Sequence, residues 1–218
     1  MDSGEQTAKL QELHFFTCSP YVRCVIRAQI MGMQHLKTIE ALVLTLLNSD
    51  TFHSLVVMSV AGLGKSTAVD IAMAKCGVEP VAIGASATPL HIFNTFCRHP
   101  NSVLVFDDTS EIWTNPRTMA ILKAASWHTS GHGLTQSEGS TTPKPRRISW
   151  GSTSEKVEKT FTEFSGKIIL LTNTISASRE TEAFLSRCLT YKIHVGEQEI
   201  RDLLLEATKV LLSGPRRQ

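Results

Sequence analysis

Short continuous runs of apolar residues, separated by helical patterns, are the feature of this sequence that most restricts its fold. Residues 55–58, 103–106 and 168–171 are three such runs. Uninterrupted apolar runs of this length are typical of strands that helices cover on both faces. Strands that alternate with helices in this way predict an α/β fold, with a mostly parallel sheet between two helical layers.

The expected elements follow in chain order. Strands are predicted over residues 53–59, 80–86, 102–106, 167–172 and 189–195, with a short additional strand over 146–150. Helices are predicted over residues 36–47, 66–75, 116–127, 180–185 and 197–212, and one more begins at Pro89 with Thr88 as its N-cap. The 218 residues therefore divide into an N-terminal helical segment (1–52), an α/β core (53–196) with an insertion at about 128–164, and a C-terminal helix within 197–218.

A glycine-rich turn lies between the first strand and the following helix. Gly62 and Gly64 allow a tight turn whose amide N–H groups face phosphate oxygens, and the helix adds the positive end of its dipole. Lys65 supplies a charge for the outer phosphates, and the Ser66 hydroxyl is placed to ligate Mg²⁺. The expected ligand is ATP or a close relative with magnesium, and the alternative is a plain surface turn. The nucleotide-binding residues are predicted to be Val60, Ala61, Gly62, Leu63, Gly64, Lys65, Ser66 and Thr67.

Two carboxylates follow the third strand, Asp107 and Asp108. Because the carboxyl ends of parallel strands share one edge of a sheet, both are expected near the glycine-rich turn. Asp107 is then placed to hold Mg²⁺ through water alongside Ser66, and Asp108 to polarise an attacking water. The alternative is that these residues only form a turn or helix cap.

Taken together, these segments resemble the AAA+ family of ATPases. Residues 59–67 resemble the Walker A loop, although Ser59 stands where the usual pattern G-x-x-x-x-G-K-[ST] has its first glycine, and residues 103–108 resemble the Walker B strand. Residues 168–173 resemble the sensor-1 strand. The resemblance implies that Asn173 contacts the γ-phosphate or the attacking water, and that the five strands have the order 5-1-4-3-2.

A later segment resembles the one that carries an arginine finger. Ser186-Arg187-Cys188 is similar to the Ser-Arg-Cys motif of clamp-loader subunits. The resemblance implies that Arg187 reaches the nucleotide of a neighbouring subunit, and hence a homo-oligomer or a ring with other ATPase subunits. The alternative is an ordinary surface arginine.

The sequence departs from the family in two further ways. The acidic pair is Asp-Asp rather than Asp-Glu, so Asp108 is one methylene shorter than the usual base and hydrolysis is expected to be slow. The helical lid that follows the fifth strand is reduced to the helix over 197–212, which represents its remnant or its start. No sensor-2 arginine can be assigned.

The insertion before the sensor-1 strand contains a basic cluster. Several AAA+ clades that act on DNA carry a β-hairpin at this place. Lys144, Arg146 and Arg147, followed by Trp150, are therefore expected to contact nucleic acid by phosphate neutralisation and base stacking. A solvated loop with no specific role is the equal alternative.

Composition and charge limit the classes of protein to which this sequence can belong. The net charge of +2 shows no strongly basic footprint, and five scattered cysteines without a Cys-x-x-Cys argue against a disulfide framework or a zinc site. No apolar run approaches the roughly 20 residues that cross a bilayer, and the first residues do not form a signal-peptide pattern. A cytoplasmic protein without a membrane partner is expected.

The function predicted from these features is ATP hydrolysis by an oligomeric AAA+-type ATPase that remodels DNA or a nucleoprotein assembly. A nucleotide-dependent switch with little hydrolysis is the main alternative, favoured by Ser59, Asp108 and the reduced lid. A small-molecule kinase would need an acceptor pocket and a lid with arginines, and neither is recognisable in the sequence.

Overall fold

The structure is a computed structural model that describes residues 34–84, 86–108, 110–127, 145–151, 159–194 and 196. Its helices are α1 (Gln34–Asn48), α2 (Lys65–Lys75), α3 (Pro89–Arg98), α4 (Pro116–Ser126) and α5 (Arg179–Leu185), with a 3-10 helix at Ser110–Thr114. Its strands are β1 (Ser54–Met58), β2 (Val81–Ile83), β3 (Val103–Asp107), β4 (Arg146–Ser149), β5 (Phe161–Phe164), β6 (Lys167–Thr172) and β7 (Leu189–Lys192).

Five of these strands form one parallel sheet, as the apolar runs predicted. The order is β7-β1-β6-β3-β2, and each neighbouring pair is parallel. This order reads 5-1-4-3-2 only when β4 and β5 are left out of the count, because those two strands form a separate antiparallel sheet. The carboxyl ends of β1, β3 and β6 therefore meet at one edge.

The sheet is covered on both faces, which explains why its strands are continuously apolar. Leu55 and Val57 of β1 belong to one apolar cluster, which also contains the buried side chains of α1 and α2. Val56 belongs to a second cluster, together with residues of α3, α4 and α5. Alternate residues of a strand point to opposite faces, so the central strands β1, β3 and β6 each contribute to both clusters.

Helix α1 shares the core of the sheet. Its buried residues Leu36, Ile39, Val43 and Leu46 follow the spacing of one helical face and pack in the same cluster as β1 and α2. The predicted boundary at residue 52 thus runs between two elements that share one core. Residues 1–33 and the predicted helix over 197–212 lie outside the described residues.

Residues 161–164, at the end of the predicted insertion, form a strand of their own. β5 pairs with β4 in a hairpin, with Arg147 opposite Glu163 and Ser149 opposite Phe161. Gly166 then turns the chain into β6. A Cβ at Gly166 would lie 1.9 Å from the carbonyl oxygen of Ser102, so only glycine fits this turn.

The helices differ in how they begin. Thr88 caps α3 as predicted, Asn115 caps α4 and Ser178 caps α5, each by accepting hydrogen bonds from first-turn N–H groups. The N-cap of α2 is Gly64, and no side chain caps this helix. Among the helices that the structure describes, none is both long enough and apolar enough to span a membrane.

Candidate functional site

The glycine-rich turn between β1 and α2 has the backbone of an anion-binding loop. Gly62 and Gly64 adopt φ values of 84° and 78°, in the left-handed region that favours glycine. A Cβ at Gly62 would meet nothing within 4 Å, so the backbone conformation rather than space requires glycine there. No side-chain hydrogen bond caps the N-terminus of α2. A helix N-terminus of this kind attracts phosphate.

Lys65, the first residue of α2, points back into this loop. Its side chain is only 8 % exposed. Nζ lies 2.9 Å from the carbonyl oxygen of Ser59, 3.0 Å from Ser59 Oγ, 3.1 Å from the carbonyl oxygen of Val60 and 2.9 Å from Asn173 Oδ1. Burial lowers the pKa of Lys65, while the negative charges of Asp107 and Asp108 oppose that shift. Four hydrogen-bond acceptors of the protein therefore surround the ammonium group of Lys65.

Asn173 connects this lysine to the carboxylates. While its Oδ1 accepts from Lys65, its Nδ2 donates to Asp108 Oδ1 at 2.9 Å. The two partners fix the orientation of the amide, since an ammonium can only donate and a carboxylate can only accept. A single hydrogen-bonded chain, Lys65–Asn173–Asp108, thus joins the start of α2 to the ends of β6 and β3.

The backbone of Asp108 is unusual. Its φ is 52°, the one positive φ of a non-glycine residue in the described part of the chain. Aspartate tolerates the left-handed region better than most residues, and such conformations often occur at functional sites. Directly before it, Asp107 ends β3, and both side chains are exposed at the sheet edge.

Ser66 and Asp107 offer the donor set that magnesium accepts in such sites. Ser66 is the second residue of α2, and the described residues contain no group of three or more His, Cys, Asp or Glu side chains that could hold a metal by themselves. One hydroxyl and one carboxylate fit Mg²⁺ that takes its other ligands from phosphates and water. Burial raises the pKa of nearby Asp70, and the charge of Asp107 raises it further.

Trp113 is hydrogen-bonded to Thr172, the residue directly before Asn173. Its indole N–H donates to Thr172 Oγ1 at 3.1 Å, and that hydroxyl donates in turn to the carbonyl oxygen of Thr174 at 2.7 Å. Trp113 and Thr172 are 3 % and 0 % exposed. Trp113 was not among the site residues predicted from the sequence. Its place shortly after the carboxylate pair was the signal that could have linked it to the site.

Arg187 lies elsewhere on the molecule from this hydrogen-bonded chain. It directly follows the turn after α5, and its guanidinium carbon is 4.2 Å from the ring centroid of Trp127. Trp127 is 46 % exposed. Stacking of a cation on an exposed ring presents Arg187 at a surface. Its contribution to a neighbouring subunit stays a prediction.

The basic cluster of the insertion is divided by the hairpin. Arg146 is 2 % exposed, donates from Nη2 to the carbonyl oxygen of Gly166 and has its guanidinium 5.1 Å from the centroid of Phe164. Burial lowers its pKa to about 10. The predicted nucleic-acid contact is therefore wrong for Arg146, because its guanidinium is not accessible. Arg147 is exposed and stacks at 4.1 Å on Phe161, whereas Lys144 lies outside the described residues.

A cleft that the sequence did not predict adjoins the phosphate loop. Its volume is about 650 Å³, and it lies at the carboxyl ends of β1, β6 and β7. Ser59, Val60 and Asn173 line one part, and Lys192 and His194 line another. A cleft of this size is sufficient for a small ligand such as a nucleotide.

The parallel sheet and the loop between β1 and α2 are similar to the fold of P-loop NTPases of known structure. A RuvB variant from Thermotoga maritima matches with a TM-score of 0.50 at 10 % sequence identity, over 82 % of this chain and 51 % of that one. The RuvB Holliday junction branch migration motor of the same organism gives 0.47 at 12 % identity, and a JCV helicase with a bound inhibitor gives 0.46 at 13 %. They cover 83 % and 88 % of this chain. The chain spans about half the length of each of these structures.

No protein-family model matches the chain, and no curated protein matches its sequence. At such low identity, the structural matches establish the fold alone. The chemistry has to be argued from the residues at the edge of the sheet.

Proposed function

We propose that this protein binds ATP with Mg²⁺ and hydrolyses it, as a subunit of an AAA+-type assembly that acts on DNA or on a nucleoprotein complex. The observation that carries the proposal is the hydrogen-bonded chain Lys65–Asn173–Asp108, because it places a cation, an amide and a carboxylate beside an uncapped helix N-terminus. We expect the protein in the cytoplasm, where ATP and magnesium are supplied.

In this proposal the loop amides and Lys65 bind the phosphates. Asn173 orients the attacking water or a γ-phosphate oxygen, and Asp108 accepts a hydrogen bond from that water and draws its proton away. Bound Mg²⁺ would neutralise developing charge on the phosphate oxygens, with Ser66 and Asp107 as its protein partners. To do this, Asn173 must give up its hydrogen bond to Lys65 or to Asp108. Nucleotide binding is therefore coupled to a rearrangement of the Lys65–Asn173–Asp108 hydrogen bonds.

The shared active site rests on Arg187. Its stacking on the exposed Trp127 supports a surface role, and a finger from one subunit would complete the site of the next. We would mix two inactive variants, Lys65→Ala and Arg187→Ala. Activity should return in the mixture, because a Lys65→Ala subunit still donates Arg187 to an intact site on its neighbour.

Arg179→Ala, which removes an exposed arginine at the start of α5, the helix that precedes Arg187, is the matched control and should remain active alone. Specific activity of the unaltered protein should also climb with protein concentration. A mixture that stays inactive, with activity independent of concentration, would rule out the shared site.

The nucleic-acid part rests on the outer face of the hairpin. Phe161 is 43 % exposed and carries the stacked guanidinium of Arg147, so a ring and a cation are presented together. Binding of labelled single-stranded DNA at low salt should weaken roughly 5- to 100-fold in Phe161→Ala, the range of base–aromatic stacking. Lys37→Ala, on α1, should bind normally. Failure of single-stranded and duplex DNA alike to bind or to stimulate turnover would remove this part.

The nucleotide-dependent switch remains the second candidate. It is favoured by the bond from Asn173 to Asp108, which occupies a carboxylate that is already shorter than the usual base. Turnover that is measurable, and lost in Asp108→Asn with ATP affinity retained, supports the enzyme. Tight binding without turnover, unaffected by Asp108→Asn, supports the switch.

A further inference from the structure

Ser59 brings a buried hydroxyl into the phosphate loop. The side chain is 4 % exposed, and its Oγ donates to the carbonyl oxygen of Val60 at 2.9 Å. The same oxygen lies 3.0 Å from Lys65 Nζ. A serine hydroxyl has only one proton. Because Ser59 donates that proton to the carbonyl oxygen of Val60, the lone pairs of Oγ face the ammonium group of Lys65. Ser59 therefore accepts from Lys65 through its side chain as well as through its carbonyl group.

The acceptors around Lys65 fall into two kinds. Three are supplied by the adjacent residues Ser59 and Val60, so they are held together by the loop itself. The fourth, Asn173 Oδ1, comes from the end of β6. An ammonium has three protons and cannot serve four acceptors fully. A phosphate oxygen can take the place of Asn173 Oδ1 and leave the loop contacts intact.

We propose that Ser59 is a positioning residue, whose hydroxyl holds the Lys65 ammonium at the base of the loop in the place where it meets the outer phosphates of a nucleoside triphosphate. The inference rests on the proposed function, since it assumes that the loop binds a nucleotide. Glycine at this position would leave Lys65 with main-chain acceptors and Asn173 alone. Serine at this position therefore gives Lys65 a third acceptor from the loop, whereas glycine would give only a more flexible backbone.

The test compares ATP binding and turnover in variants of Ser59. Loss of a hydrogen bond to a charged group predicts that Ser59→Ala raises the Kd and KM for MgATP roughly tenfold. Because Lys65 meets the phosphates before and during the reaction, kcat should stay within about threefold. Ser59→Thr, which keeps the hydroxyl, should bind within about threefold of the unaltered protein. Ser59→Gly, which adds no bulk, should behave like Ser59→Ala.

Ser54→Ala is the matched control. Ser54 is 0 % exposed, lies at the other end of β1 and exchanges a hydrogen bond with Ser126. Ser54→Ala should lower the melting temperature without changing the Kd for MgATP. The control therefore separates the general loss of a buried hydroxyl near β1 from the loss of the hydroxyl beside Lys65.

Two outcomes overturn the proposal and leave the proposed function intact. In one, Ser59→Ala and Ser59→Gly bind MgATP as tightly as the unaltered protein, while Lys65→Ala does not bind. In the other, a folded Ser59→Thr binds as weakly as Ser59→Ala, so the hydroxyl is not the cause. If Lys65→Ala itself binds MgATP normally, the nucleotide site fails and Ser59 with it.

Discussion

Lys65 and Arg146 are both buried cations, but their surroundings differ. Lys65 is 8 % exposed and meets four acceptors at an open edge of the sheet. Arg146 is 2 % exposed, meets one carbonyl group and an aromatic ring, and its Nε has no hydrogen-bond partner in the described structure. A buried charge costs stability unless its donors are satisfied. In the proposed function, Lys65 binds a ligand, whereas the long side chain of Arg146 stabilises the hairpin of β4 and β5.

Loss of Lys65 should have the largest effect, and it should fall on binding. Replacing it with alanine removes two or more charge-assisted hydrogen bonds to phosphate, so we expect ATP affinity to fall roughly 100- to 1000-fold. Isothermal titration calorimetry measures this loss. Lys75→Ala, at the exposed end of the same helix, should bind normally. Equal affinity of the two variants would show that the loop does not bind phosphate.

Loss of Arg146 should instead fall on stability. Arg146→Ala leaves a cavity beneath the hairpin and should lower the free energy of unfolding by about 3 kcal/mol, with ATP affinity unchanged. Arg147→Ala, its exposed neighbour, should change the free energy by no more than about 0.5 kcal/mol. Urea unfolding measures both. If Arg146→Ala is as stable as Arg147→Ala, the contrast between the two buried cations disappears.

Asn173 tests the link between Lys65 and Asp108. Asn173→Ala removes the amide that orients water, so we expect kcat to fall roughly 10- to 100-fold while the Kd for ATP changes less than about threefold. Steady-state hydrolysis and equilibrium binding separate the two effects. Thr174→Ala, one residue further on and exposed, is the control. A large loss of affinity would assign Asn173 to nucleotide binding instead.

A smaller effect follows from Lys167, which lies near Arg146 and donates to the carbonyl oxygens of Ser49 and Phe52. Burial and, to a smaller extent, the charge of Arg146 together lower the pKa of Lys167 from 10.5 to about 8, against the opposing effect of Asp50. Between these values the unfolded chain binds more protons than the folded one, so stability should rise with pH.

This dependence can be isolated with Lys167→Met. Thermal melts between pH 8 and pH 10 should show the unaltered protein gaining stability relative to the variant. The same comparison in an Arg146→Met background should show a smaller gain, because the repelling charge is gone. A constant difference between the curves would mean that Lys167 keeps its ordinary pKa when folded.

The sheet, and the edge of it at which the candidate site lies, could be predicted because local sequence patterns determine them. Apolar runs specify strands buried on both faces, and parallel strands bring Asp108 and Asn173 to the same edge as the loop that follows β1. The orientation of Asn173 between two charges also follows from its chemistry. The contacts of Ser59 could not be predicted, since they depend on where Lys65 folds back.

The division of the basic cluster required knowledge of pairing. Read as a run of charges, Arg146 and Arg147 suggest one solvated surface. Ile148 is buried, and the two-residue period of a strand places Arg146 on the same face. That inference needs the second strand, because only pairing with β5 fixes which face is covered. Trp127 and Arg187 are 60 positions apart in number, and their contact depends on how α4 and α5 pack.

Trp113 gives this site a built-in optical signal. Its indole is hydrogen-bonded to Thr172, the residue directly before Asn173. The chain contains three tryptophans, so replacing Trp127 and Trp150 with phenylalanine leaves one emitter, fixed to the end of β6. If the proposed function holds, any shift of that strand end as the triphosphate enters or the product leaves should alter the emission of a single indole. Stopped-flow fluorescence can therefore time each stage of the cycle without an attached dye.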